Sequence, residues 1–206
     1  MMKHEIRGVY AITPDTMDTE TLINKSRLVL TGGVSVLQYR NKHRDQALRL
    51  EQASSLKALC DEFSIPLIIN DDISLAAEVG AAGVHLGKDD RALANARSEL
   101  GSTAVVGISC YNQLSLARKA ADEGASYVAF GAVFSSSTKP DAVNAPLSLF
   151  QQAKIIPVPV VAIGGITSVN ALQVIQAGAD AIAMISALFD AIDPLANSHQ
   201  LSDLFR

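Results

Sequence analysis

Short apolar runs alternate with longer amphipathic stretches along the whole chain. The short runs fall at 6–12, 34–40, 66–70, 83–86, 104–108, 126–131, 158–163 and 180–184 and are rich in Val, Ile, Tyr and Ala. Several are almost continuously apolar, as in Pro66-Leu67-Ile68-Ile69 and Pro159-Val160-Val161-Ala162-Ile163. Strands covered on both faces have this character, because neither side of the sheet meets water. The stretches between them carry helical period. Across 43–64, Leu48, Leu56, Leu59, Cys60 and Phe63 can share one face. Thr167, ahead of Asn170-Ala171-Leu172, stands where a helix N-cap is expected, and Gly80, Gly101, Gly124 and Gly178 stand where helices close. A phrase of helix end, Gly turn and next strand recurs at 78–84, 123–128 and 176–182.

Eight such β-α units without a long linker predict an α/β fold, a single-domain (β/α)8 TIM barrel over residues 1–206. The alternative is an open doubly wound sheet, which gathers its ligand at one switch point. Polar residues here follow nearly every strand, which favours closure.

Composition narrows the picture. Hydrophobic residues make up 49% of the 206 positions and Trp is absent, so small aliphatic side chains must fill the core. The net charge of −4 and the lack of a basic stretch speak against a nucleic-acid partner. No apolar segment reaches membrane-spanning length without a charge or a breaker, and the charged start Met1-Met2-Lys3-His4-Glu5 is not that of a signal peptide. Cys60 and Cys110 form no disulfide framework or metal-site spacing and read as reduced thiols of a cytoplasmic protein.

The candidate chemistry lies just after the strands, on the face where barrels build their sites. Arg40, Lys42 and Lys139 supply cations, and Asp71 and Asp90 supply carboxylates from adjacent strand ends. Carboxylates beside cations suit Mg²⁺ held between the carboxylates and a diphosphate better than they suit a bare anion. Gly164-Gly165 and Ile185-Ser186 follow strands seven and eight, where barrels often seat a phosphate on backbone N–H groups; a plain glycine turn is the simpler alternative. Two anion sites imply two small phosphorylated substrates that are joined or split. Neither a Walker loop, a dinucleotide fingerprint, a nucleophile elbow nor a zinc pattern of the four histidines is present. His85 at its strand end suits a structural role as well as a catalytic one, and Cys110 beside Ser109 has no evident base.

These residues fall into ordered motifs. They are Gln38-x-Arg40-x-Lys42, Ile69-Asn70-Asp71, Gly83-Val84-His85-Leu86-Gly87-x-Asp89-Asp90 and Gly107-x-Ser109. Phe130-Gly131-x-Val133-Phe134 follows, with Thr138-Lys139-x-Asp141-Ala142, then Val161-Ala162-Ile163-Gly164-Gly165-Ile166 and Ile185-Ser186-Ala187. From about Tyr10 to Leu188 the set resembles the thiamine-phosphate synthase (thiamine-phosphate pyrophosphorylase) family.

The resemblance implies a transferase of thiamine biosynthesis. It would condense 4-amino-5-hydroxymethyl-2-methylpyrimidine diphosphate with 4-methyl-5-(2-phosphoethyl)thiazole to give thiamine phosphate and pyrophosphate. Diphosphate departure to a pyrimidine-methyl cation would come first, with capture by the thiazole nitrogen after it. It further implies Mg²⁺ on Asp71 and Asp90, and diphosphate on Arg40, Lys42, Asn70, Ser109 and Lys139. Gln38 would sit by the pyrimidine, and Ser136, Thr138, Gly165, Ile185 and Ser186 by the thiazole phosphate. Lys139, Ser109 and Arg40 would be the catalytic residues. The chain departs from the family's usual residues at Ser135-Ser136 (for Pro-Thr), Lys88 (for Gln) and Tyr111 (for His). Two alternatives remain: a thiazole tautomerase of the same barrel family, and a non-catalytic binder of thiamine precursors. Asp71, Asp90, Thr138 and Lys139 argue against the tautomerase, which tends to lose them.

Overall fold

The computed structural model describes residues 6–16, 18–87, 90–135 and 143–206, with the backbone alone for 90–92. Among the described residues the strands are β1 (Gly8–Ile12), β2 (Val36–Tyr39), β3 (Leu67–Asn70), β4 (Gly83–Leu86), β5 (Val105–Tyr111), β6 (Tyr127–Gly131), β7 (Val160–Ile163) and β8 (Ala181–Met184). They pair in chain order, all parallel, and β8 returns to β1 to close the barrel. Each predicted strand is present. β5 runs three residues further than its apolar pattern predicts, through Ser109 and Cys110 to Tyr111, where its pairing with β6 shifts register.

The helices α1 (Thr19–Thr31), α2 (Gln46–Phe63), α3 (Ile73–Val79), α4 (Asp90–Leu100), α5 (Leu114–Asp122), α6 (Leu147–Gln152), α7 (Ala171–Ala177), α8 (Ser186–Phe189) and α9 (Pro194–Asp203) connect and cover the strands. Helix α2 starts where Asp45 accepts the N–H groups of Ala47 and Leu48. It buries Leu56, Leu59 and Cys60, while Leu48 and Phe63 are only half-buried. Gly80 and Gly178 cap α3 and α7 in the left-handed region, as expected. The N-cap expected at Thr167 is corrected. Helix α7 begins at Ala171 with Asn170 as its cap, and Thr167 forms a preceding turn through its backbone, its N–H donating to Asn170 Oδ1 at 2.8 Å.

Side chains alternate along each strand between two cores. Val9, Ala11, Leu37, Val84, Val106, Phe130 and Ile182 face the helices. Ile6, Tyr10, Ile12, Val36, Ile68, Val105, Tyr127, Val161 and Ala181 fill the barrel itself. The alternation turns Gln38, Asn70, His85 and Ser109 inward, toward the C-terminal mouth.

Two glycines make room inside. A Cβ on Gly83 would lie 1.8 Å from the Val105 carbonyl oxygen, and one on Gly107 would lie 2.0 Å from Tyr127 Cζ. Gly107 pairs with His85 on one side and with Tyr127 on the other, so its missing side chain lets those two rings meet across β5. Gly83 has backbone against it, which cannot yield as a side chain would. Gly83→Ala is expected to destabilise the fold by about 1–3 kcal/mol through overpacking, read as a lower urea midpoint at unchanged slope.

Candidate active site at the barrel mouth

The β1–α1 loop braces the end of β2. Thr13 N–H donates to the Gln38 carbonyl at 2.9 Å, and Thr13 Oγ1 accepts the Arg40 N–H at 2.9 Å while donating to the Arg40 carbonyl. Asp15 then takes the Arg40 guanidinium at 3.0 Å through one carboxylate oxygen and the Lys42 N–H at 2.9 Å through the other. Arg40 is thereby aimed rather than free; its side chain is 13% exposed and keeps further donors for a ligand. Asn41 ties the same loop to α2 by donating to Gln52 Oε1 at 2.9 Å, which Tyr39 also reaches from the strand.

Beside this loop lies an open cavity of about 920 Å³. Its lining brings together the predicted Arg40, Lys42, Asn70 and Asp71, and adds Arg44, Arg49, Asp72 and Glu99. Arg49 pairs with Asp72 at 2.8 Å, and its buried Nε meets no acceptor among the described residues. Asp71 stands directly after β3 with φ at 62°, in the left-handed region that Asp enters more readily than most side chains. Its N–H is fixed to the His85 carbonyl at 2.9 Å, and its exposed carboxylate accepts the Asn70 amide at 2.8 Å.

Gln38 and Ser109 are not on that lining. They belong to a hydrogen-bonded chain inside the barrel. Gln38 Nε2 donates to Tyr10 Oη at 2.8 Å, and Tyr10 Oη lies 2.8 Å from Tyr127 Oη. Tyr127 Oη is 2.9 Å from His85 Nδ1, and His85 Nε2 is 2.9 Å from Ser109 Oγ. The His85 and Tyr127 rings stack at 5.6 Å. Desolvation pushes His85 down from 6.5 to about 4, and burial raises the Tyr10 and Tyr127 phenols far above their ordinary range. The network is neutral near pH 7.

Across the mouth, Gly164 and Gly165 both hold positive φ, at 104° and 62°. The space a Gly165 side chain would take is occupied by the Ser135 and Phe134 carbonyl oxygens at 2.6 and 2.7 Å. The β6–α6 loop is latched there, Val133 and Phe134 N–H donating to the carbonyls of Ile163 and Gly164 at 3.0 and 3.1 Å. Loop packing by itself therefore demands glycine at 165. Ile185 and Ser186 follow β8 at the same face, with Ser186 opening α8. Ser136, Thr138 and Lys139, with Lys88 and Asp89, lie outside the described residues, as does the side chain of Asp90.

The family described as Thiamine monophosphate synthase matches residues 9–188. The chain belongs to that family. It is 54% identical over 200 residues to the thiamine-phosphate synthase of Methylobacillus flagellatus, covering 97% of this chain and 96% of that one. It is 51% identical over 205 residues to that of Nitrosospira multiformis, covering 99% and 88%. Among solved structures, thiamine phosphate pyrophosphorylase from Pyrococcus furiosus superposes with a TM-score of 0.86 at 30% identity, covering 98% and 96% of the two chains. A 3-hexulose-6-phosphate synthase at 17% identity and a TM-score of 0.71 shares the fold.

Sequence reasoning missed Asp15, Thr13, Arg49 and the tyrosine pair. The signal for Asp15 was weak, a lone carboxylate in a Pro-Asp-Thr turn; the tyrosines read as packing residues.

The lowered His85 value carries a pH dependence. The unfolded chain takes up a proton near pH 6.5 and the folded one only near 4, so stability is full above the first value and falls as pH drops through the second. Urea midpoints should decline over that window in the wild type, and His85→Gln should remove this part of the decline.

Proposed function

We infer that this chain is a transferase that makes thiamine phosphate from a pyrimidine-methyl diphosphate and a thiazole phosphate, releasing pyrophosphate. The observation that carries this reading is the mouth cavity in which Arg40, Lys42, Asn70 and Asp71 converge, on a chain of this family. Cations alone would bind an anion. Cations with a carboxylate presented to solvent suit a diphosphate bound together with a divalent metal.

The donor set fits Mg²⁺ in kind. Asp71 offers hard carboxylate oxygen at the end of β3, and Asp90, first residue of α4, follows the next strand. When bound, Mg²⁺ would neutralise charge that builds up on the departing diphosphate. The rest falls to side chains. Arg40, oriented by Asp15, and Lys42 hold phosphoryl oxygens, and the gain of charge on departure strengthens those bonds, which favours the transition state over the bound substrate. Lys139, Ser109 and Asn70 add donors to the same group. Gln38, beneath the mouth, borders the pyrimidine. Ser136, Thr138, Gly165, Ile185 and Ser186 receive the thiazole phosphate, so that the thiazole nitrogen is in place when the pyrimidine-methyl cation forms. Exclusion of water from the site protects that cation.

No helix among the described residues is long and apolar enough to cross a membrane. With Cys60 and Cys110 free and buried, the cytoplasm is the fitting compartment.

Purified protein given both substrates and Mg²⁺ should form thiamine phosphate, and EDTA should stop it; folded protein that forms none overturns the reading. Asp71→Ala and Asp90→Ala should each lower turnover by on the order of a hundredfold or more with thermal midpoints little changed. Near-normal rates in both would remove the metal assignment. Asp15→Ala should raise the KM for the diphosphate substrate several-fold by releasing Arg40, while costing under about 1 kcal/mol of stability, as expected of a partly exposed ion pair.

A further inference from the structure

The chain from Gln38 to Ser109 has a direction. Gln38 donates its amide hydrogen to Tyr10 Oη. Tyr10 is 1% exposed, so its own hydroxyl hydrogen must find an acceptor inside the barrel, and Tyr127 Oη stands 2.8 Å away. Were Tyr127 the donor in that pair, the Tyr10 hydrogen would be left buried without a partner, which costs more than any arrangement that satisfies it. Tyr10 therefore donates to Tyr127. Tyr127, fully buried, must pass its hydrogen to its remaining partner, His85 Nδ1 at 2.9 Å. A nitrogen that accepts carries no hydrogen, so the ring's hydrogen sits on Nε2 and is donated to Ser109 Oγ at 2.9 Å. Ser109 receives a hydrogen from inside, and its own is left to point outward.

We propose that His85 is a positioning residue: Tyr127, by donating to Nδ1, holds its imidazole as the Nε2–H tautomer, so that Ser109 presents a hydroxyl hydrogen rather than a lone pair to an anionic oxygen at the barrel mouth. The role assigned to the hydroxyl rests on the reading of Ser109 as a diphosphate contact; the tautomer does not. An anion that gains charge as it leaves is served by a donor and repelled by a lone pair. Setting the polarity from within removes the need for the hydroxyl to choose at the moment of reaction. Gly107 makes this possible, because any side chain there would collide with the Tyr127 ring that His85 must reach.

The test is the ¹⁵N spectrum of histidine side chains in the ligand-free full chain near neutral pH, with His85 assigned by comparison with His85→Gln. The wild type should show Nδ1 as the unprotonated nitrogen and Nε2 as the protonated one. Tyr10→Phe should keep that pattern, since Tyr127 still has only Nδ1 to receive its hydrogen. Tyr127→Phe should lose it, with Nδ1–H gaining population. Wild-type protein with hydrogen on Nδ1, or a Tyr127→Phe spectrum identical to the wild type, overturns the proposal. In turnover, Tyr127→Phe should lower kcat about tenfold with the KM for the diphosphate substrate within about twofold, a split that general loosening of the site would not give. A Tyr127→Phe protein with altered tautomer and undiminished kcat also overturns it. The predicted spectra in a wild-type protein that makes no thiamine phosphate support the relay and refute the assigned reaction.

Discussion

The interior of the barrel holds polar groups that have little access to water, and each must be satisfied by another. This constraint orders the inside of the molecule. It explains why Tyr10 and Tyr127, large residues in a core otherwise filled by Val, Ile and Ala, stand with their hydroxyls together. It explains why His85 is neutral and bonded at both nitrogens. Fixing the rings fixes the strands that carry them, since β1, β2, β4, β5 and β6 each contribute one member of the chain. A barrel packed by aliphatic groups alone would tolerate small rotations of those strands; one threaded by directional bonds does not.

The mouth above this floor is divided. On the side of β2 and β3, cations converge on a carboxylate, and the charges restrain one another: Asp15 with Arg40, Asp72 with Arg49. On the side of β6 to β8 the described residues are glycine backbone and closely packed loops. The first half suits a ligand that gains charge during reaction and needs strong fields. The second suits a ligand whose phosphate serves only as a handle.

The fold was legible in the sequence because parallel strands buried on both faces leave continuous apolar runs, and each of those runs proved to be a strand. Arg40, Lys42, Asn70 and Asp71 were legible for a related reason: a polar residue directly after such a run must lie at one rim of the barrel. Asp15 and Arg49 were not. Each acts on a partner more than twenty residues away, and nothing local marks either one. Tyr10 and Tyr127 escaped for another cause. Their rings satisfy the apolar pattern, and only the three-dimensional pairing shows that their hydroxyls matter. Thr167 was misjudged because a threonine ahead of a helix resembles a cap, whereas here the turn uses its backbone and leaves the capping position to Asn170.

The contact between Gly165 and the carbonyls of Phe134 and Ser135 has an evolutionary consequence. Those two loops share one volume, so neither can drift independently. A bulkier residue at 165 is admissible only after the preceding loop has withdrawn, and that withdrawal would break its hydrogen bonds to the end of β7. Descendants of this sequence are thus expected to exchange the two loops as a unit or to keep both, whereas loops on the charged side, joined mainly through side chains, are free to be replaced one at a time.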